Sequence, residues 1–262
     1  MTSAIETKSL VRRFGDFAAV DGIDLAVDRG TFFGFLGPNG AGKSTTIKML
    51  TGLMAPTSGS AAIMGFDVVK EPVEMKRRIG VVPEELALFD RLTGPEYLGF
   101  CGRMHGVDPA TVARRTDDLL DMMGLQEDRG KLIVDYSHGM QKKLAIAASL
   151  LHGPEVLFLD EPFEGVDAIS SRMIKDLLLS LLKKEITIFL TSHILEIVEG
   201  LCTDLAIIHM GALVAQGSLD ELRSGIELNG GGGARETMTL EEVFLSLVGG
   251  NDVERKTLSW LE

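Results

Sequence analysis

An α/β fold with a mostly parallel core sheet flanked by helices is predicted from three observations. The apolar run Phe32-Phe33-Gly34-Phe35-Leu36 leads through a glycine-rich segment at 37–42 into a helical pattern. Apolar runs at Val156 to Asp160, Thr187 to Thr191 and Leu205 to Ile208 alternate with helical stretches near 169–184 and 193–202, as expected of parallel strands buried on both faces. Between about 93 and 150 strand signals vanish and helical ones dominate, which reads as a helical insertion.

In chain order, Ile23, Leu25 and Val27 alternate with Asp24 and Asp28, predicting a half-buried strand that turns at Arg29-Gly30 into the buried one. Ile47, Leu50, Leu53 and Met54 at helical spacing predict a helix over Thr45 to Met54, ended by Gly52 and Pro56. Short strands are expected at 60–64 and 79–82. In the insertion, Val112, Leu119, Leu120, Met122 and Met123 lie opposite Arg114, Arg115, Asp117, Asp118 and Asp121. That pattern is an amphipathic helix, with Gly124 at its C-terminal end. Asn229-Gly230-Gly231-Gly232-Gly233 breaks the tail, so 226–235 reads as a flexible joint before a helical pattern from Thr239 to Val248. The chain thus divides into a domain over 1–225, with its insertion at about 87–150, and a joint plus helical tail over 226–262. No internal repeat is visible, which excludes a solenoid.

The 262 residues, 45% apolar and 24% charged, exclude disordered and fibrous classes. A formal net charge of −12 has the wrong sign for passive attraction to nucleic acid or anionic lipid, so no nucleic-acid partner is expected. Every apolar run stops well short of the ~20 residues that a membrane helix needs. The start Met-Thr-Ser-Ala-Ile-Glu-Thr-Lys lacks the layout of a secretion signal, and Cys101 and Cys202 support neither a disulfide framework nor a zinc site. A cytoplasmic protein is expected.

Gly37-Pro38-Asn39-Gly40-Ala41-Gly42-Lys43-Ser44 satisfies G-x-x-x-x-G-K-[ST] between a buried strand and a helix, the context that a phosphate-binding loop requires. Its glycines let N–H groups from Gly40 to Thr45 point at a polyanion, helped by the positive end of the following helix. Lys43 is then placed to reach the β and γ phosphates of a nucleotide, and Ser44 to offer a hydroxyl to Mg²⁺. A chance glycine turn is the bland alternative, and the flanking elements argue against it. Val156-Leu157-Phe158-Leu159-Asp160 ends a buried strand on a second Mg²⁺ ligand, and the adjacent Glu161 suits a general base that polarises water for attack on the γ phosphate. Alone, the pair could equally be a surface acid pair after a core strand.

Four further segments follow the same order along the chain: Arg13-Phe14-Gly15, Tyr136-Ser137-His138-Gly139-Met140-Gln141-Lys142, Glu164-Gly165-Val166-Asp167 and Thr191-Ser192-His193. With them, the chain resembles the nucleotide-binding subunit of an ATP-binding cassette transporter over about residues 5–220. The resemblance implies a phosphate-loop NTPase with an N-terminal antiparallel β subdomain and a helical insertion, binding ATP and Mg²⁺. It implies that Phe14 stacks on adenine, with a simple core residue as the bland alternative. Ser137 and Gly139 would cap the γ phosphate of an opposing cassette, so that two copies, or two different cassettes, sandwich ATP head to tail. Without the resemblance, Ser137 reads as a helix N-cap. Asp167 would lie in the loop crossing that interface, and His193 would contact the γ phosphate.

The chain departs from the family at Glu84, which follows Val82-Pro83 where glutamine is usual, and at His138 and Met140 in the signature. A carboxylate at 84 adds negative charge beside Asp160 and Glu161 and is expected to tighten Mg²⁺ dependence. The implied activity is ATP hydrolysis that drives a separate membrane permease, docked near Phe89 to His105, with the subunit held on the inner face of the cell membrane. The run from Phe14 to Gly65, the single cassette and Thr239-Leu240-Glu241-Glu242-Val243-Phe244 look most like bacterial export cassettes. Two other readings stay open: a non-transport cassette acting on a soluble assembly, and a phosphate-loop kinase, which leaves Ser137, Glu161 and His193 without roles.

Overall fold

The computed structural model of the chain describes residues 3–227 and 239–249. Two sheets organise it. β1 (Ser3–Phe14), β2 (Phe17–Asp28), β4 (Ser58–Ile63) and β5 (Phe66–Asp67) form an antiparallel sheet in the order β2-β1-β4-β5. β3 (Phe32–Leu36), β6 (Ile79–Val82), β7 (Val156–Asp160), β8 (Thr187–Ser192), β9 (Asp204–His209) and β10 (Ala212–Ser218) form the second, ordered β10-β9-β3-β8-β7-β6. All its pairings are parallel except that of β10 with β9.

Every residue of β3, β7 and β8 is buried, because both faces of this sheet are covered. The two-residue period of a strand sorts the side chains between two cores. Phe33, Phe35, Val156, Phe158 and Phe189 face the antiparallel sheet and α1 (Lys43–Leu50). Phe32, Leu36, Leu157, Leu159, Ile188 and Leu190 face the other side. There they meet α3 (Gly94–Met104), α4 (Pro109–Met122), α5 (His138–Leu150), α6 (Ala168–Leu182), α7 (Leu195–Leu201) and α9 (Leu240–Val248). Phe189 lies 5.3–5.6 Å, centroid to centroid, from Phe33, Phe35 and Phe158, stacked on the first and tilted to the other two, so aromatic contact ties the neighbouring strands β3, β8 and β7 together along one face of the sheet.

Local signals explain the helix ends. Thr93 and Glu96 form a capping box at α3, and Asp108 caps α4; each supplies an acceptor to amides that the first turn leaves unpaired. The helix expected over Thr45 to Met54 is instead α1 over Lys43–Leu50. Leu53 and Met54 lie in a following turn where both amides donate to Lys48 O. In α4, Val112, Leu120 and the following Met123 are buried, but Met122 is exposed, because the buried stripe runs through Thr116 instead. β1, β5, β10, α2 (Pro72–Lys76) and α8 (Leu219–Glu227) carried no separate expectation. Of the joint expected at 226–235, Ile226 and Glu227 instead end α8, and 228–235 lie outside the described residues. Among the described residues no helix is long and apolar enough to cross a membrane.

Candidate active site

Strand β3 delivers residues 37–42 to the N-terminus of α1. No side chain fits at Gly37, where a Cβ would lie 2.4 Å from Ile208 O, or at Gly42, where it would lie 2.5 Å from Ala19 O at φ +110°. Glycine is required there by close approach and by the left-handed backbone. The amides of Lys43, Ser44 and Thr45 open the helix ahead of its first internal bond, Thr46 N to Gly42 O, and so remain free for an anion. Ala41 differs from expectation: its amide donates to Pro38 O at 3.1 Å, inside the loop. Lys43 Nζ donates to Gly37 O at 2.7 Å and Pro38 O at 3.3 Å, so its ammonium sits over the loop it would serve.

This loop borders a cleft of about 460 Å³ lined by Phe14, Phe17, Ala19, Asn39, Gly40, Gly42, Lys43, Ser44, Thr45, Glu84 and Glu161. Phe14 is 45% exposed and is therefore no core residue. The Arg12 guanidinium lies 4.7 Å from the centre of its ring. Phe17, 64% exposed and paired with Phe14 across the β1–β2 turn, went unread in the sequence, although two exposed aromatics flanking a Gly-Asp turn were there to be noticed.

The acidic side of the cleft comes from the end of β7. Asp160 Oδ1 accepts a 2.6 Å hydrogen bond from Thr191 Oγ1, and Thr191 Oγ1 accepts from the Glu161 amide at 3.1 Å. Glu161 stands at φ +48°, a left-handed conformation rare outside glycine. Its Oε2 meets His193 Nδ1 at 3.0 Å and the His193 amide at 3.3 Å, which joins those two expected residues directly. Glu84 Oε2 lies 3.5 Å from Ser44 Oγ. Burial pushes the Lys142 ammonium below the usual lysine range, against the pull of Glu164, Asp160, Glu84 and Glu161. Among the described residues no three His, Cys, Asp or Glu side chains form a closed metal cage. Ser44 and Glu84 instead offer oxygen ligands of the kind that suits a cation taking most of its shell from phosphates and water, while Asp160, 4% exposed, is not among the residues that line the cleft.

Ser137, Gly139 and Asp167 line none of this cleft and form a separate patch. Ser137 Oγ caps α5 by accepting from Met140 N at 3.3 Å. Asp167 caps α6, and the amides of Ser170 and Ile169 hold its carboxylate below the usual range. A Cβ at Gly139 would touch Asp167 Oδ2 at 3.5 Å, and His138 Nδ1 lies 3.4 Å from Gly165 O. A second cleft, about 440 Å³ and mostly apolar, lies between β6, α3 and α5. It is lined by Leu86, Leu88, Tyr97, Phe100, Cys101 and Met104, with His105 and His152 stacked 3.8 Å apart.

Residues 20–164 match the family described as ABC transporter. The chain is 41% identical over 228 residues to the daunorubicin/doxorubicin resistance ATP-binding protein DrrA of Streptomyces peucetius, covering 87% of this chain and 69% of that one. It is 40% identical over 224 residues to the bacitracin transport ATP-binding protein BcrA of Bacillus licheniformis, covering 85% and 72%. A solved ATP-binding subunit of an ABC transporter superposes with a TM-score of 0.85 at 31% identity, over 94% of this chain and 99% of that one. A phosphate loop opening α1, paired acids ending β7 and this likeness over most of the chain agree, and the protein belongs to the ABC transporter family as an ATP-binding subunit that hydrolyses ATP.

Proposed function

We propose that this subunit hydrolyses Mg²⁺-bound ATP between two cassettes arranged head to tail and transmits the resulting closure to a separate membrane permease that exports its solute. The observation that carries the reading is the Glu161–His193 pair beside the phosphate loop. Phe14, with Phe17 beside it, offers a stacking face to the adenine. Gly37 to Thr45 wrap the phosphates: Gly37, Pro38, Asn39, Gly40, Ala41 and Gly42 shape the loop, and the Lys43, Ser44 and Thr45 amides face the anion. Lys43 exchanges its carbonyl partners for β and γ phosphate oxygens. Ser44, Asp160 and Glu84 would hold Mg²⁺, which would supply charge neutralisation to the phosphates. Glu161 takes a proton from the water that attacks the γ phosphorus, and His193 fixes the carboxylate for that step.

Ser137 and Gly139 sit at the open end of α5 and suit the γ phosphate of an opposing cassette, with Asp167 beside them at the same surface. The apolar cleft, whose wall includes Tyr97 to His105, suits a cytoplasmic segment of the permease; Phe89 packs edge-on against Tyr97 and Phe100 at its rim. The subunit then sits on the inner face of the membrane by way of that partner. Export is supported by relatives named for drug resistance and bacitracin transport.

Two variants test the reading. Lys43→Ala loses ATP binding, whereas Glu161→Gln keeps it and accumulates an ATP-bound dimer on size-exclusion chromatography. Hydrolysis by Glu161→Gln at the wild-type rate would sink the assignment of the base. Affinity purification of Glu161→Gln with ATP and Mg²⁺ from detergent-solubilised cells should recover a polytopic membrane protein; recovery of soluble partners alone would favour a cassette that works outside transport.

A further inference from the structure

The structure assigns to Thr191 the role of a positioning residue that sets Asp160, Glu161 and His193 in one geometry, an inference that rests on the roles proposed above for the two acids. Thr191 is fully buried near the end of β8, directly paired with Asp160 at the end of β7. Its hydroxyl has one proton, and an amide N–H can only donate, so both hydrogen bonds have a fixed direction. The proton goes to Asp160 Oδ1 at 2.6 Å, and the oxygen accepts from Glu161 N at 3.1 Å.

Each bond has a consequence for the site. The short bond to a carboxylate is of the stronger, charge-assisted kind. It commits one oxygen of Asp160, which is itself only 4% exposed, and orients the other for a cation. The second bond satisfies the amide of Glu161 while that residue holds φ +48°, a conformation that persists only where its surroundings enforce it. The resulting turn aims the Glu161 carboxylate at His193, which leaves the same strand two residues after Thr191. A valine has the same shape without the hydroxyl and would strand a buried carboxylate oxygen and a buried amide. A serine would keep both bonds. Thr191 touches none of the reacting atoms and acts through the groups that do.

The test compares Thr191→Val, Thr191→Ser and Asp160→Asn with the unaltered protein. Four quantities are measured: kcat and KM for ATP, ATP binding in EDTA, and equilibrium binding of Mn²⁺ to ATP-loaded protein by electron paramagnetic resonance. Thr191→Val should lower kcat and Mn²⁺ affinity roughly 10- to 100-fold, the usual cost of losing a partner of a metal ligand, with KM and metal-free ATP binding little changed. Thr191→Ser should stay near wild type in all four. Wild-type kcat and Mn²⁺ affinity in Thr191→Val overturn the assignment, as does a Thr191→Ser protein as impaired as the valine variant, which would place the effect in packing. Should Thr191→Val not fold by circular dichroism, Thr191→Ala takes its place with the same expectations. Asp160→Asn separates the two levels of the inference. If it keeps wild-type Mn²⁺ binding, the reading of the metal ligand fails and Thr191 with it; if it loses Mn²⁺ while Thr191→Val does not, only Thr191 fails.

Discussion

Glu84 brings a full negative charge to within 3.5 Å of the Ser44 hydroxyl, where a glutamine would bring a neutral carbonyl. A hard divalent cation gains from each added carboxylate in its shell. Glu84→Gln should therefore raise the Mg²⁺ concentration that half-saturates ATPase activity, and an unchanged titration would remove Glu84 from the metal site. His152 offers a second measurement, independent of nucleotide. Burial, with the neighbouring His105, pushes its pKa down to about 4, and burial also lowers that of His105. In the unfolded chain such an imidazole titrates near 6.5, so between about pH 6.5 and 4 the unfolded state binds the extra proton and stability falls as pH falls. Denaturant unfolding at pH 7.5 and 5 should show that loss, and His152→Gln should lessen it. An equal loss in the variant would locate the pH sensitivity elsewhere. Among the described residues His152 Nδ1 has no hydrogen-bond partner, while its other nitrogen meets Ile79 O at 2.9 Å, so the neutral ring is the form that the fold accommodates.

At the scale of elements, strand β6 and helix α5 touch through a missing side chain. A Cβ at Gly80 would lie 2.3 Å from Ser149 O and 2.9 Å from Leu157 Cδ1, and helix backbone yields less readily than a side-chain tip. Gly80→Ala should cost about 1–3 kcal/mol, the range for overpacking a well-filled interior, read as a lower thermal midpoint; an unchanged midpoint would show that α5 shifts freely. The same scale separates what the sequence disclosed from what it hid. The long buried strands and the phosphate loop were legible because apolar runs and the G-x-x-x-x-G-K-S spacing are local signals. β10 was not, because Ala212 to Ser218 alternates exposed with half-buried residues and its apolar Leu213 and Val214 fall on opposite faces, so it shows little hydrophobic contrast. In β1, the register shifts between Thr7 and Leu10, around Ser9 at φ +44°, break the alternation, and α2, at five residues, is too short for helical periodicity. Asp160, Glu161 and His193 could be picked out in order along the chain. Thr191 could not be given a task, because its two hydrogen bonds depend on how β7 and β8 register against each other.

At the scale of the whole molecule, the formal charge of −12 bears on assembly. In the head-to-tail pair proposed above, two like copies repel one another, and salt screens that repulsion within about 10 Å at 0.1 M. The ATP-bound Glu161→Gln dimer should therefore tighten as salt rises from about 0.02 to 0.2 M, as sedimentation can measure. A dimer that weakens instead would show that ion pairs across the interface outweigh the net charge. In that proposed pair the net charge works against self-association, which leaves the shared nucleotides, apolar contact and any ion pairs across the interface to supply the energy of closure.

The placement of β3 between β8 and β9 also orders events in time. The phosphate loop is synthesised well before β9, yet Gly37 rests against Ile208 and Gly211 N bonds to Ala41 O. At 5–20 residues per second, a ribosome needs roughly 10–30 s to travel from one to the other. Until then the loop lacks that rear wall, and β3 lacks β9, one of its two sheet neighbours. The phosphate cradle is thus completed only once β9 and the turn after it have been made and packed against β3.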